Sequence, residues 1–404
     1  MERSCELSKG AQKLDAVTLK NSPICRTGPI IPRVAATIWR RFNLLLLATG
    51  VAAVAKTSDI DPRGAQFIGF SHFPSFKKVQ TDGESILTSR EIVTRLKADE
   101  VVASWNVMNP VGAYLKCEVR AIYPGHKTKF YNMGLWSNDP PRHPRESVAN
   151  QKDEDGDVLT DTLVLKIPCE KFQIRLTLGE GDSETELKFL GLSFLDSKAT
   201  PSALPATRAA WGKLIPVPER SQMLYEGGKS LCSPTTVSMM LSYWSHELKW
   251  PELDRDVPDV VKGVYDPIWK GTGNWSFNTA FAGSFKGLRA YVTRLTDLSE
   301  VEDWIARGIP VGLSVSYNKL RGIPGPPGGH LVVCVGFTSD GRVILNDPGT
   351  IQNVQKTFSR ADVIAAWANS RNTVYLVYPE NAHVPKDRFG HWASNHSGRT
   401  FATR

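Results

Sequence analysis

A chain of 404 residues with 41% hydrophobic and 22% charged residues has material for more than one buried core, so two domains are expected. Its mean hydropathy of -0.24 excludes a multi-span membrane protein. The formal charge of +8 is concentrated at the front: residues 1–55 hold eight Lys or Arg against three Asp or Glu, which is +5 and leaves +3 for the rest. That remainder is no footprint for a polyanion, and no nucleic-acid partner is expected.

Residues 1–33 are polar and without pattern. Arg40 and Arg41 then precede an apolar run of fourteen residues, 42–55, that ends on the small-residue exit Ala53-Val54-Ala55. A spanning helix needs roughly twenty apolar residues, so this run reads as a secretory signal rather than a membrane span. The reading predicts a mature chain that begins near Lys56 and is secreted or periplasmic, with no membrane span after signal removal. The twin arginines are a hint of the folded-protein export route. The polar stretch ahead of the signal is either a long leader or evidence of a later start, near Val34; the bland alternative for the apolar run is an ordinary buried helix. After cleavage Cys117, Cys169, Cys232 and Cys334 would remain, too few for a disulfide scaffold in a chain this long, although Cys117 and Cys169 could bridge.

Over 65–196 short strands alternate with turn residues. Leu115, Cys117 and Val119 interleave with Lys116, Glu118 and Arg120, the pattern of a half-buried strand, and further strands are expected at 162–166, 172–178 and 187–194. Many strands with almost no helical period predict an all-β sandwich. Trp105, Tyr123, Tyr131 and Trp136 read as core and edge aromatics, with a carbohydrate platform as the functional alternative. Asp153, Asp155, Asp157 and Asp161 surround Gly156, but Gln151 and Thr162 stand where a calcium loop needs acids, so a solvated acidic turn is expected. Pro201, Pro205, Pro216 and Pro218 mark residues 197–218 as a linker.

Residues 219–380 mix periods and predict an α+β domain. Val237, Met240, Leu241 and Trp244 form one face of a helix with Pro234 in its first turn. A second helix is expected from Ser299, capped reciprocally by Glu302, to Gly308. Strands follow at 311–317, 330–337 and 342–347, then a helix over 361–368 and a strand over 373–378. The tail, 381–404, carries His383, His391 and His396 at irregular spacing and reads as a loose end, not a metal site.

Three residues of this half point to chemistry together. Cys232 stands at the start of the first helix, where unpaired N–H groups and the dipole favour a thiolate. His330 opens one strand and Asp347 ends the next, so a hairpin would bring imidazole and carboxylate side by side as base and orienter. Taken singly each is more often structural; a nucleophile, a base and an orienter in this order and setting point to a site.

The motifs that surround them resemble the papain-fold cysteine peptidases of the bacteriocin-processing, double-glycine-leader type, cysteine peptidase family thirty-nine, in its stand-alone exported branch. The matching stretches are Leu231-Cys232-Ser233-Pro234-Thr235-Thr236 with Leu241-Ser242-Tyr243-Trp244, Gly273-Asn274-Trp275-Ser276-Phe277-Asn278-Thr279-Ala280, Gly329-His330-Leu331-Val332-Val333, and Asn346-Asp347-Pro348. The resemblance implies a papain-like fold over 219–380, Cys232 as nucleophile, His330 as base and Asp347 as orienting carboxylate. One departure stands out: transporter-linked members carry a Gln six residues before the Cys, where this chain has Glu226. Gln222, ten before, takes that oxyanion role only if the Gly227-Gly228 loop folds back.

The expected function is an exported cysteine peptidase or amide hydrolase that works through a thioester on Cys232, with a peptide or amide substrate and no cofactor or metal. The competing class is a cell-surface or polysaccharide binding protein whose papain-like half is inactive. The Pro- and Gly-rich stretch 322–329, directly ahead of His330, is expected to flank the cleft.

Overall fold

Antiparallel pairing dominates the computed structural model, which describes residues 61–179 and 185–392. The expected leader and signal over 1–55, and His396, lie outside these residues. The N-terminal domain contains β1 (Ala65–Phe70), β2 (Lys77–Thr81), β3 (Glu84–Thr88), β4 (Ile92–Met108), β5 (Tyr114–Tyr123), β6 (His126–Lys127), β7 (Tyr131–Ser137), β8 (Gly156–Leu159), β9 (Thr162–Gly179) and β10 (Glu186–Leu195). In β5 the alternation read from the sequence puts Leu115, Cys117 and Val119 in the core. The ten strands form one hydrogen-bonded network, β1-β10-β4-β9-β3-β2, with β5 and β8 also on β9. The long strands β4 and β9 carry partners along both of their halves, so the pairing runs through the domain as one continuous ladder. Trp105, Tyr131 and Trp136 are fully buried, which rules them out as a surface platform.

The C-terminal domain runs α1 (Cys232–Leu248), α2 (Val257–Val264), α3 (Trp275–Ser284), β11 (Leu288–Arg294), α4 (Leu298–Ala306), β12 (Val311–Ser316), α5 (Tyr317–Arg321), β13 (Gly329–Phe337), β14 (Val343–Asn346), β15 (Gln355–Phe358), α6 (Arg360–Trp367) and β16 (Thr373–Pro379). Its strands form an antiparallel sheet in the order β11-β16-β12-β13-β14-β15. The sequence reading missed β11 and β15. Helix α1 carries its expected apolar face, yet it is buried from Ser233 to Ser245 because the sheet packs on one side and α2 and α3 on others.

The two domains pack into one compact unit. Strand β11 is an edge strand whose free side would expose unpaired backbone groups. The N-terminal domain satisfies them: Asn106 of β4 donates to the Ala290 carbonyl at 2.6 Å and accepts its N–H at 3.0 Å, and Ser104 accepts from Val292 N–H at 2.9 Å. Phe277 of α3 packs against Trp105 and Trp136, with ring centroids 6.2 and 5.6 Å apart.

Three expectations change here. Residues 197–218 are no free linker: Gly212 and Ile215 donate to the Phe337 and Val335 carbonyls at 3.0 and 2.7 Å, extending the sheet along β13 beyond the end of β12. The cap of α4 is Asp297, whose carboxylate accepts from Ser299 N–H at 2.9 Å. Glu302, expected as the capping partner, is buried and instead accepts from Thr207, from Arg208 N–H and from Trp211 Nε1, which holds the connecting segment down. The tail is docked as far as Trp392, since His391 is fully buried between Glu300 and the Pro62 carbonyl at 2.7 and 2.8 Å.

Candidate active site

Cys232 is the first residue of α1, preceded by Leu231, which offers no side-chain cap to the first-turn N–H groups. Those groups lack carbonyl partners within the helix, and the positive end of the dipole favours an anion there. His330 is buried on β13, opposite Val315 of β12. Asp347 directly follows β14, whose Asn346 faces Val333 of β13, and it is fully buried. The hairpin brings His330 Nε2 to 2.7 Å from Asp347 Oδ1. The Cys232 thiol and the same imidazole are near enough for each to shift the other, and with Nε2 engaged by Asp347 the nitrogen left for sulfur is Nδ1.

The three groups shift one another. Burial pushes His330 down, but the hydrogen bonds and charges of Asp347 and Cys232 outweigh it and raise the imidazole to about 9. Burial likewise pushes Asp347 up, and His330 and Arg321 overcome it to hold the carboxyl at about 2. Burial would raise Cys232 as well; the hydrogen bond and charge of His330, with the Leu331 and Ser233 N–H groups, bring it below the ordinary thiol value. The other buried thiols go the opposite way: burial lifts Cys117 well above its ordinary value, and Cys334 to about 12. Cys117 and Cys169 are both free, so the bridge considered for them does not form.

Two residues of the site escaped the sequence reading. Arg321, at the end of α5, donates from Nε to Asp347 Oδ2 at 3.0 Å and from Nη2 to the same oxygen. Its guanidinium lies 4.0 Å from the centroid of the Tyr317 ring and donates to the Tyr317 hydroxyl. The Tyr317 ring in turn meets His330 edge-on, with centroids 5.2 Å apart. A Cβ at Gly349 would come within 3.1 to 3.2 Å of Arg321, Tyr317 and His330, so a side chain there would press on all three members of the cluster. The available signal was a Tyr and an Arg at i, i+4 directly after the strand that neighbours His330.

Gln222 is buried in a single helical turn, Gln222–Leu224. Its N–H donates to the carbonyl of Pro348, next to Asp347, at 3.0 Å, and its Nε2 donates to Gly228 at 2.6 Å. The Gly227-Gly228 loop does fold back: Gly227 has φ of 69°, and a Cβ at Gly228 would sit 2.4 Å from the Gln222 carbonyl oxygen. Gln222 is thus tied by its backbone to the turn after Asp347 and by its side chain to the folded-back loop. Asn346 is turned away, donating to the Val217 carbonyl at 3.1 Å and accepting from Gln355 at 3.2 Å.

The 273–280 motif braces the loop that leads into Cys232. Asn274 caps α3, Asn278 donates to Thr272 O at 2.7 Å, and Thr272 donates to Ser230 O at 2.9 Å, two residues before Cys232. The 322–329 stretch is largely exposed and tied to α5 by Tyr317 N–H on Gly328 O at 2.8 Å. In the acidic turn Asp153 pairs with Lys129 at 2.9 Å and Asp155 with His126 at 2.8 Å, while Asp161 is buried and accepts from Trp275 N–H at 2.6 Å. Among the described residues no group of three or more His, Cys, Asp or Glu side chains is arranged to hold a metal, and no helix is long and apolar enough to cross a membrane.

Residues 77–192 match the family model described as the Peptidase C39 N-terminal domain, and residues 214–375 match that of the Peptidase_C39 like family. The resemblance drawn from the motifs is borne out at the level of family. No curated protein matches the chain. Among solved structures, a Bacillus anthracis chain named as a C39-like peptidase aligns at 14% identity and a TM-score of 0.32, over 41% of this chain and 97% of its own.

Proposed function

We propose that this chain, whose C-terminal domain falls in the C39-like peptidase family and brings a cysteine-peptidase-like function with it, is an exported hydrolase of peptide bonds with a papain-like catalytic half and a β-sandwich ahead of it. The observation that carries the reading is the relay from Asp347 through Nε2 of His330 to the thiol at the head of α1. A thiolate paired with imidazolium attacks the scissile carbonyl carbon, and the C=O electron pair moves onto oxygen. The Cys232 N–H and the second Nε2 proton of Gln222 would receive that oxyanion. Collapse expels the amine, which takes the proton from His330 Nδ1 and leaves a thioester on Cys232. Neutral His330 then draws a proton from water, hydroxide attacks the thioester, and collapse releases the acid and restores the ion pair.

The imidazolium pair requires Cys232 to react with iodoacetamide well below the pH at which an ordinary thiol does. Alkylation of the purified protein across a pH series tests this. Labelling confined to pH above 8 would sink the ion pair, and peptide turnover that survives Cys232→Ala would sink the nucleophile assignment.

A further inference from the structure

The sheet order places more than His330 at one end of the catalytic domain. Val315 of β12 faces His330, Leu313 of β12 faces Val374 of β16, and Thr373 faces Arg294 at the end of β11. The ends of β11, β16 and β12 therefore lie in a row leading sideways from the catalytic imidazole. Along that row is a cavity of about 660 Å³ whose wall on this side is Arg294, Lys319 and Ala368 to Arg371. The facing wall is Trp269, Gly273 and Trp275, from the segment whose Thr272 holds the nucleophile loop. The N-terminal domain closes the far side with Glu100, Leu159 to Thr162 and Val164.

The charges of this cavity are unbalanced in what they have left to offer. Glu100 is already engaged by Arg294 at 2.9 Å and Arg371 at 3.8 Å. Asp161 accepts from Trp275 N–H and the Thr162 hydroxyl, and burial raises its carboxyl to about 6 against those bonds. Both acids are thus satisfied by the protein. Arg294, 2% exposed, keeps Nε and Nη1 without a protein partner, and Arg371 and Lys319 bring two further, exposed cations. A buried guanidinium with unmatched N–H groups beside two exposed cations suits an acceptor that carries negative charge.

We propose that this interdomain cavity is a substrate subsite that takes a carboxylate of the bound peptide, an acidic side chain or the free C-terminus, on Lys319, Arg371 and Arg294. The inference rests on the reading that a peptide lies across Cys232 and His330, and it gives the N-terminal domain a part in selection: it ends the groove.

The test is protection of Cys232 from alkylation at pH 8.5, where any accessible thiol labels whether or not the protein cleaves peptides. Peptides carrying Glu or Gln at each position in turn, with a free or amidated C-terminus, are compared on the intact chain. The subsite predicts that one acidic form protects at about tenfold lower concentration than its neutral counterpart, and that the double reversal Lys319→Glu/Arg371→Glu removes the difference. Loss of the preference on amidation identifies the terminus, and loss on Glu→Gln identifies a side chain. Both reversed residues are exposed, an unchanged Tm of the double variant checks that it is folded, and Arg294→Gln serves as the buried counterpart. Equal protection by acidic and neutral peptides, or a preference unchanged by the double reversal, overturns the proposal. Protection without any turnover would instead count against the peptidase reading and leave the subsite standing.

Discussion

Two buried histidines in this molecule each meet a carboxylate at 2.7 Å: His330 on Asp347 and His391 on Glu300. In both, burial alone would discharge the imidazole and the neighbouring carboxylate keeps it charged. The difference lies on the second nitrogen. His391 directs it to the Pro62 carbonyl at 2.8 Å, an acceptor that never titrates, so that imidazolium is a clamp between the tail and the start of β1. His330 directs it to a thiol at a helix N-terminus, a partner that gains or loses a proton. A buried His–carboxylate pair is therefore no mark of catalysis by itself; what distinguishes the candidate site is a thiol able to exchange a proton with the imidazole.

The largest effect expected from breaking the catalytic pair alone comes from Asp347→Asn. Asp347 serves three donors at once, His330 Nε2 and the Gly349 N–H through Oδ1 and Arg321 through Oδ2. An amide has a single oxygen, so whichever way it turns, its NH2 faces another donor. Turnover should fall by about a hundredfold or more, the direction seen when a triad carboxylate is made neutral. The basic limb of the pH–rate profile should also move down from about 9, since of the two groups that raise His330 only Cys232 is left. Wild-type kcat/KM in this variant would mean that another residue orients the imidazole; Asn346→Ala, which disturbs only contacts to Val217 and Gln355, is the control.

How far the sequence spoke differs between these two regions. Cys232, His330 and Asp347 were legible because each stands at an element boundary that local pattern locates: a helix start with Pro234 in its first turn, and a strand pair joined by a tight turn. Arg321 and Tyr317 were not, because α5 is five residues long and its position depends on the exposed 322–329 stretch, which has no period to read. His391 was misread for a related reason. Its burial depends on Glu300 and Pro62, far away in the chain, and Asp387 accepts from the N–H groups of Phe389, Gly390 and His391 to shape a turn with no helical or strand signal. Glu302 met the pattern of a capping box, but tertiary donors from residues 207–211 claimed its carboxylate first.

A smaller effect should sharpen the comparison at Arg321, which touches neither the thiol nor the space beside it and so acts as a positioning residue. Arg321→Gln removes the cation that helps hold Asp347 at about 2. The carboxyl then protonates at higher pH, so the acidic limb of kcat should move upward and the plateau should fall about tenfold, the cost of one charge-assisted contact. Arg321→Lys restores the charge without the stacking on Tyr317 or the two-pronged contact, and should recover the limb but only part of the rate. An unchanged profile in Arg321→Gln would reduce the residue to a packing element.

The smallest effect on turnover is expected at the other pair, where His391→Gln should leave kcat and iodoacetamide labelling of Cys232 as they are while lowering stability. Removing one partner of a buried ion pair strands the other, at about 3–5 kcal/mol. The dependence on pH follows from the two shifts. His391 is raised above 6.5, so its contribution is complete below that value and is lost as pH climbs through the folded one; Glu300 is lowered below 4.5, so its contribution is present above that value and lost as pH falls. The clamp is thus strongest between those limits. The gap in Tm between wild type and His391→Gln should be widest near pH 5 to 6 and narrow on either side, a flank that His330 cannot supply because it remains in both proteins. Should the gap stay constant with pH, His391 contributes by packing against its neighbours rather than by charge. Should Cys232 lose reactivity with it, the tail and the site are coupled, and the distinction between clamp and catalyst drawn from the second nitrogen fails.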